Sequence, residues 1–184
     1  FSTETDPNGP DDLHFFKEML EKLEAEYPVD PERIYVTGHS NGSMMTQRIM
    51  RYWPQKFAGF APVGAMECRE KAIPIPKDGY LRNVWYTIGE FDGAGCSMEE
   101  GTGNSITVRN LCDANNIDYE KRRYYESGIY MNTIVRDEKG VPLVRFTGVK
   151  NWPHTYSPEL AIMIYDEFFA RFVRHEDGTL EYLA

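Results

Sequence analysis

Three features of the sequence predict an α/β fold built on a mainly parallel sheet. Short, solidly apolar runs alternate with stretches whose apolar residues recur every three or four positions. The apolar runs at 34–37, 57–65 and 83–88 lack the polar alternation of a strand with one wet face, so they read as strands covered on both faces. Helical stretches fall between strands instead of clustering at one end, which is the order of a βαβ chain. The 184 residues are 41% hydrophobic and 27% charged, with no internal repeat or linker, so residues 1–184 are expected to form one domain.

The elements follow in order. Residues 1–10 are polar, with Pro and Gly, and read as a loop. Asp11 or Asp12 caps a helix running to about Tyr27, whose Leu13, Phe16, Met19, Leu20 and Leu23 predict one buried face. Pro28, Asp30 and Pro31 end it. Residues 34–37 form the first strand, and a second helix spans about 43–52 with Met44, Met45, Ile49 and Met50 inward. Strands follow at 57–65 and 83–88, then a helix at 104–115. Residues 129–136 and 143–149 read as two strands joined by Glu138-Lys139-Gly140. Ser157-Pro158 begins a last helix with Leu160, Ile164, Phe168 and Phe172 inward.

Composition removes some function classes. Twenty Lys and Arg stand against 29 Asp and Glu, for a net charge of −9. A duplex nucleic-acid binder needs the opposite sign, so no nucleic-acid partner is expected. No apolar run approaches the roughly 18 residues of a membrane helix, and no membrane role is expected. The chain begins at Phe1 without a basic-then-apolar leader, which reads as a cleaved product or a piece of a longer protein and leaves the compartment open. Cys68, Cys96 and Cys112 are too few for a disulfide framework; one bridge plus a free thiol, or three buried thiols, both remain open.

The chemistry centres on Gly38-His39-Ser40-Asn41-Gly42, a G-x-S-x-G string. A buried strand runs into it and a helix runs out, the strand–turn–helix setting in which such a serine projects above the sheet. Small residues two before and two after Ser40 are expected to relieve crowding in a strained turn. The helix N-terminus favours developing negative charge, and the Asn41 N–H becomes an oxyanion donor. Ser43 is a weaker nucleophile candidate because it lies inside the helix. A connecting loop without chemistry is the plain structural alternative.

A hydroxyl needs a base. Of four histidines, His14 lies in the first helix and His175 in a charged C-terminal tail, both facing solvent. His39 is inside the turn with its ring pointing away from Ser40. His154, in the loop Asn151-Trp152-Pro153-His154, opens at the same sheet edge as Ser40 and is the expected base. The third strand ends in Gly89-Glu90-Phe91-Asp92-Gly93, and Asp92 is preferred over Glu90 as the carboxylate that orients the imidazole. The resulting order is Ser40, Asp92, His154.

That order and the string Tyr35-Val36-Thr37-Gly38-His39-Ser40-Asn41-Gly42-Ser43-Met44-Met45 resemble the polyhydroxybutyrate depolymerase and feruloyl esterase group of α/β-hydrolases. Upstream, Val29-Asp30-Pro31-Glu32-Arg33-Ile34 and Asp12-Leu13-His14-Phe15-Phe16 resemble the family's approach to the turn; Phe57-Ala58-Gly59-Phe60-Ala61-Pro62-Val63 resembles its next strand. The resemblance covers about 11–175 and is strongest at 29–64. It implies the C-terminal portion of an α/β-hydrolase fold, ester hydrolysis through an acyl-serine on Ser40, Asp92 and His154, and no metal or organic cofactor. It also slightly favours secretion.

The family carries further strands and a second oxyanion donor ahead of the turn, whereas 39 residues precede Ser40 here. The resemblance therefore implies a missing N-terminal segment or a companion chain. Expected substrates are small-molecule or polysaccharide-linked esters, of feruloyl, acetyl or short hydroxyalkanoate type. Trp152 is a candidate substrate-binding residue, while Trp85 and Tyr156 read as core. A peptidase on the same fold and a non-catalytic hydrolase-like binding domain are the other readings.

Overall fold

The computed structural model describes residues 11–66, 74–93 and 95–184. The loop expected at residues 1–10 and the thiol of Cys68 lie outside these. The chain divides into two units, Phe1–Pro31 and Glu32–Ala184.

In the first unit, α1 spans Asp12–Glu26 and the Asp11 carboxylate accepts the His14 N–H at 3.0 Å as its cap. None of its residues is buried, and Phe15, Met19 and Leu23 are exposed. The buried face expected from its periodicity is therefore not realised: a stripe at helical spacing marks which side of a helix can be buried, but burial needs an opposing surface.

In the second unit, strands β1 (Tyr35–His39), β2 (Gly59–Val63), β3 (Val84–Gly89), β4 (Arg123–Ser127), β5 (Tyr130–Val135) and β6 (Val144–Val149) form one sheet in the order β1-β2-β3-β6-β5-β4. β1, β2, β3 and β6 are parallel; β5 and β4 join antiparallel. The architecture is a mostly parallel sheet flanked by helices, as the sequence predicts. Every residue of β2 and β3 is buried, as their unbroken apolar character requires. Phe60 donates its backbone N–H to Asn83 O just ahead of β3 and Gly64 donates to Thr87 O within it, and Pro62 falls between them where the donor would face the same way. Having no N–H, it drops one rung of the ladder.

Helix α2 (Asn41–Tyr52) packs against β1 and β2, burying Met45, Ile49 and Met50, while Met44 is only half-buried. Helices α3 (Gly103–Ala114) and α4 (Pro158–Glu167) begin at Thr102 and Ser157, whose hydroxyls accept the N–H of Ser105 and Leu160. α4 stops at Glu167. Phe168 and Phe172 are buried as expected, but one caps the helix and the other opens β7 (Phe172–Arg174), which pairs with β8 (Leu180–Tyr182). The sequence missed β4, whose five residues are all exposed and leave no apolar pattern to read.

The core of the sheet holds a polar chain. The Trp85 indole N–H donates to Thr147 Oγ1 at 2.8 Å, and Thr147 donates to Asn132 Oδ1 at 2.8 Å, crossing β3, β6 and β5. Arg145 lies 3.5 Å from the Trp85 ring centroid. Trp85 is thus core. Tyr156 is tied by its hydroxyl to Thr37 Oγ1 at 3.0 Å.

His175 does not sit in a free tail. It lies between β7 and β8, with Nδ1 2.9 Å from Glu32 and Nε2 2.8 Å from Glu181. Those hydrogen bonds to Glu32 and Glu181 raise its pKa above the ordinary 6.5. The imidazolium is the form favoured by folding, so its contribution is complete below about pH 6.5 and fades as pH rises through the raised value. Urea unfolding of His175→Gln should therefore show a deficit against wild type on the acid side that closes on the alkaline side.

Candidate active site

Three parallel strands end at one edge of the sheet and deliver the candidate residues there. β1 runs into the turn at Ser40, where the backbone enters the left-handed region (φ 57°, ψ −114°), rare for a non-glycine residue and a local strain. The Ser40 N–H donates to Val63 O at 3.0 Å, so β2 holds the turn from beside it. Gly38 is compulsory: a Cβ there would lie 2.4 Å from Gly42 O. Gly42 is not, since a Cβ at that position meets nothing within 4 Å. The crowding expected on both sides of Ser40 is real on one side only, because Gly42 contributes the obstructing backbone and does not itself suffer it.

α2 begins immediately, and its first internal hydrogen bond is Met44 N–H to Ser40 O at 3.2 Å. The N–H of Asn41 precedes that bond and belongs to the unsatisfied donors of a helix N-terminus. Ser43 is fully buried, donates its hydroxyl to Ala65 O at 2.6 Å and accepts from Gln47, which fixes the segment after β2 and leaves no free nucleophile.

β3 delivers Asp92 and β6 delivers His154. The Asp92 carboxylate is almost wholly buried; Oδ2 accepts the Gly89 N–H at 2.7 Å, and Oδ1 takes the N–H of His154 Nδ1 at 2.5 Å. The two loops are sewn together beforehand. Glu90 N–H donates to Val149 O (2.9 Å), Phe91 N–H to Trp152 O (3.1 Å), and Asn151 N–H to Glu90 Oε2 (2.6 Å). Glu90, the competing carboxylate, is therefore occupied with the backbone of the histidine loop. Gly89 must lack a side chain, because a Cβ would stand 2.8 Å from Trp152 O. Asn104, a residue the sequence did not single out, donates from Nδ2 to Gly95 O and Ser97 O and braces the chain beyond Asp92.

Ser40, Asn41 and His154 face one cavity of about 250 Å³, closed by Met44, Gly64, Ala65, Met66 and Gly93. No hydrogen bond joins Ser40 Oγ to His154 among the described residues; catalytic contacts of this type often close only around substrate. Trp152 does not line this cavity. A wider hollow of about 650 Å³ lies at the other edge, beside Leu81 and Leu143 ahead of β3 and β6, with Lys77, Lys121, Asp113 and Asp137 on its walls. It holds none of the candidate residues.

The His39 ring has a neighbour that the sequence did not announce. Its ring centroid is 4.3 Å from that of His154, with 40° between the planes. Burial, then the charge of His154, lowers its pKa, and Asp92 partly offsets them. Cys96 and Cys112 are free thiols; burial raises the Cys96 pKa and pushes that of Cys112 up to about 12. Among the described residues no group of three or more His, Cys, Asp or Glu is placed to hold a metal ion, and no helix is long and apolar enough to cross a membrane.

Comparison with known proteins gives the following. The model of the prolyl oligopeptidase family matches residues 6–102, more than half of the chain. Poly(3-hydroxyalkanoate) depolymerase C of Paucimonas lemoignei is 41% identical over 54 residues, 28% of this chain and 13% of that protein. A bifunctional acetylxylan esterase/xylanase of Neocallimastix patriciarum is 33% identical over 57 residues, 31% of this chain and 8% of that protein. The chain thus spans far less than two thirds of the curated relatives it matches. Among solved structures, an acetyl xylan esterase from Aspergillus awamori superposes with TM-score 0.60 at 15% identity, covering 85% of this chain and 66% of that one. A thermostable esterase superposes with TM-score 0.59 at 21% identity, covering 94% and 40%. These two likenesses show the fold.

The unequal roles of the two glycines can be measured. Gly38→Ala should lower the unfolding free energy by about 2 kcal/mol or more, the scale of overpacking against rigid backbone. Gly42→Ala should be neutral or stabilising by up to about 1 kcal/mol, as alanine replaces glycine in a helix. Urea unfolding of both variants gives the comparison.

Proposed function

The chain belongs to the prolyl oligopeptidase family, and from that premise we propose that it is a serine hydrolase cleaving carboxylic esters through an acyl-serine intermediate. The observation that carries the reading is the buried Asp92 carboxylate bound to His154 Nδ1, with His154 and the strained Ser40 turn facing one cavity.

In this reading His154 Nε2 takes the Ser40 proton as Oγ attacks the ester carbonyl carbon. The Oγ–C bond forms, and negative charge moves onto the carbonyl oxygen, where the Asn41 N–H at the start of α2 receives it. A second oxyanion donor comes from a segment or companion chain beyond the described residues. Collapse of the intermediate breaks the bond to the alcohol, which leaves with the proton from His154. Water then attacks the acyl carbon and gives its proton to His154, and the Ser40 Oγ–C bond breaks to release the acid as His154 returns that proton to Oγ. Asp92 keeps the imidazole in the tautomer that presents Nε2 and stabilises the imidazolium.

The small cavity supports short acyl groups, of acetyl or hydroxyalkanoate type, ahead of feruloyl, and the names of the relatives point to the same chemistry. Trp152 enters through its carbonyl, which holds the acid loop, more than as a substrate platform. The peptidase reading has one observation in its favour, the family model itself.

Parallel assays separate the readings. Wild type should hydrolyse a nitrophenyl acetate and leave a peptide nitroanilide nearly untouched; the reverse preference would replace the esterase by a peptidase. Ser40→Ala and His154→Ala should each lower kcat by about three orders of magnitude or more, as members of a triad acting as a unit do. Asp92→Asn, which inverts the tautomer, should cost about as much. Activity of Ser40→Ala within tenfold of wild type would remove the mechanism.

A further inference from the structure

Asp92 fixes one atom of the His154 ring and leaves its plane free. The imidazole is 47% exposed, and among the described residues its only hydrogen bond is the one at Nδ1. Rotation about the bond between Cβ and an aromatic ring is broad. A turn about the Nδ1–Oδ1 contact would sweep Nε2 away from Ser40 without breaking that contact. Something must hold the face.

We propose, on the hydrolase reading above, that His39 is a positioning residue for His154: its ring is the platform that holds the His154 imidazole in plane and against which the imidazolium formed during acylation rests. Three observations carry this. The two rings lie in direct contact, 4.3 Å apart centroid to centroid and tilted by 40°. The residue just after β2 gives up a side chain to admit the lower ring: a Cβ at Gly64 (φ 76°) would lie 2.8 Å from His39 Cδ2 and Nε2 and 3.3 Å from His154 Cε1. Finally, His39 Nε2 is buried with no hydrogen-bond partner among the described residues.

The last point fixes the chemistry of the platform. A protonated His39 would carry an N–H at Nε2 with no acceptor, in a dry position. The groups facing it are the backbone of Gly64 just after β2, Asp92 from the loop after β3 and His154 from the loop after β6. Burial and the charge on His154 both oppose protonation, and Asp92 only partly compensates. The ring therefore stays neutral and offers its π-face to the cation that His154 becomes. The turn thus supplies both the nucleophile, at Ser40, and the support for its base, one residue earlier.

The test uses the full-length protein and nitrophenyl acetate hydrolysis, with circular dichroism and Tm for each variant. His39→Ala should lower kcat by about tenfold or more while KM stays within about twofold, since loss of orientation acts on the chemical step. His39→Phe, which keeps a flat ring, should recover kcat to within about threefold of wild type. A kcat for His39→Ala within twofold of wild type overturns the proposal. So does a loss that His39→Phe fails to recover, or one that falls together with KM and Tm, because either marks simple packing. Ser40→Ala in the same assay tells the two failures apart: retained activity there removes the hydrolase reading itself, whereas its loss beside an unimpaired His39→Ala removes only the role of His39.

Discussion

Six parallel pairs, from Val84 with Val144 to Gly89 with Val149, bring β3 and β6 to the same height, and the geometry at the candidate site depends on that register. The two strands are about 60 residues apart along the chain, yet their loops leave side by side and are joined by three hydrogen bonds before Asp92 meets His154. A slip of one residue would displace one loop by roughly 3.3 Å and turn each side chain to the other face. That exceeds the tolerance of a hydrogen bond. The buried chain Trp85–Thr147–Asn132 pins the same register from within, because its partners face one another only in this alignment. β1 and β2 perform the corresponding task for Ser40, through the bond from its N–H to Val63 O.

Strands buried on both faces were legible because their composition carries the signal: β2 and β3 are apolar throughout. The Ser40 turn was legible for a local reason as well, since glycine at 38 and a serine between a strand and a helix answer to backbone geometry a few residues long. The antiparallel pairing of β5 with β6 was readable from the turn residues between them. β4 was not, being wholly exposed and read by nothing but its hydrogen bonds to β5. The end of α4 was misjudged because Phe168 and Phe172 continue a helical spacing that the backbone abandons, so apolar periodicity reported burial correctly and conformation wrongly. The contact of His39 with His154 went unread, and His175 was misplaced, for a common reason. Each is fixed by groups distant in sequence, His154 for the first, Glu32 and Glu181 for the second, and no local pattern announces such partners.

Membership of a peptidase-named family alongside matches to esterases is chemically coherent. Attack on an ester and attack on an amide use the same nucleophile, base and oxyanion site. They differ at the second half of acylation, where an amine must be protonated as it departs and an alkoxide leaves more readily. Discrimination therefore falls on the surroundings of the leaving group and on the walls that size the acyl group. The nucleophilic turn itself is silent on the matter, which is why the motif and its spacing identify the machinery more sharply than the bond it cuts.

The strand pair β7–β8 is riveted to the sheet from inside. Arg174 is buried, and its guanidinium donates to Phe57 O at 3.0 Å, Gly178 O at 2.9 Å and Leu81 O at 2.6 Å, carbonyls from three separate segments. Burial, and after it the charge of Arg82, push its pKa down to about 10. Peeling the strand pair away would leave carbonyls ahead of both β2 and β3 unsatisfied at once. A segment that would ordinarily fray thus opens only when the sheet does, and its amides should exchange with solvent on the timescale of global unfolding.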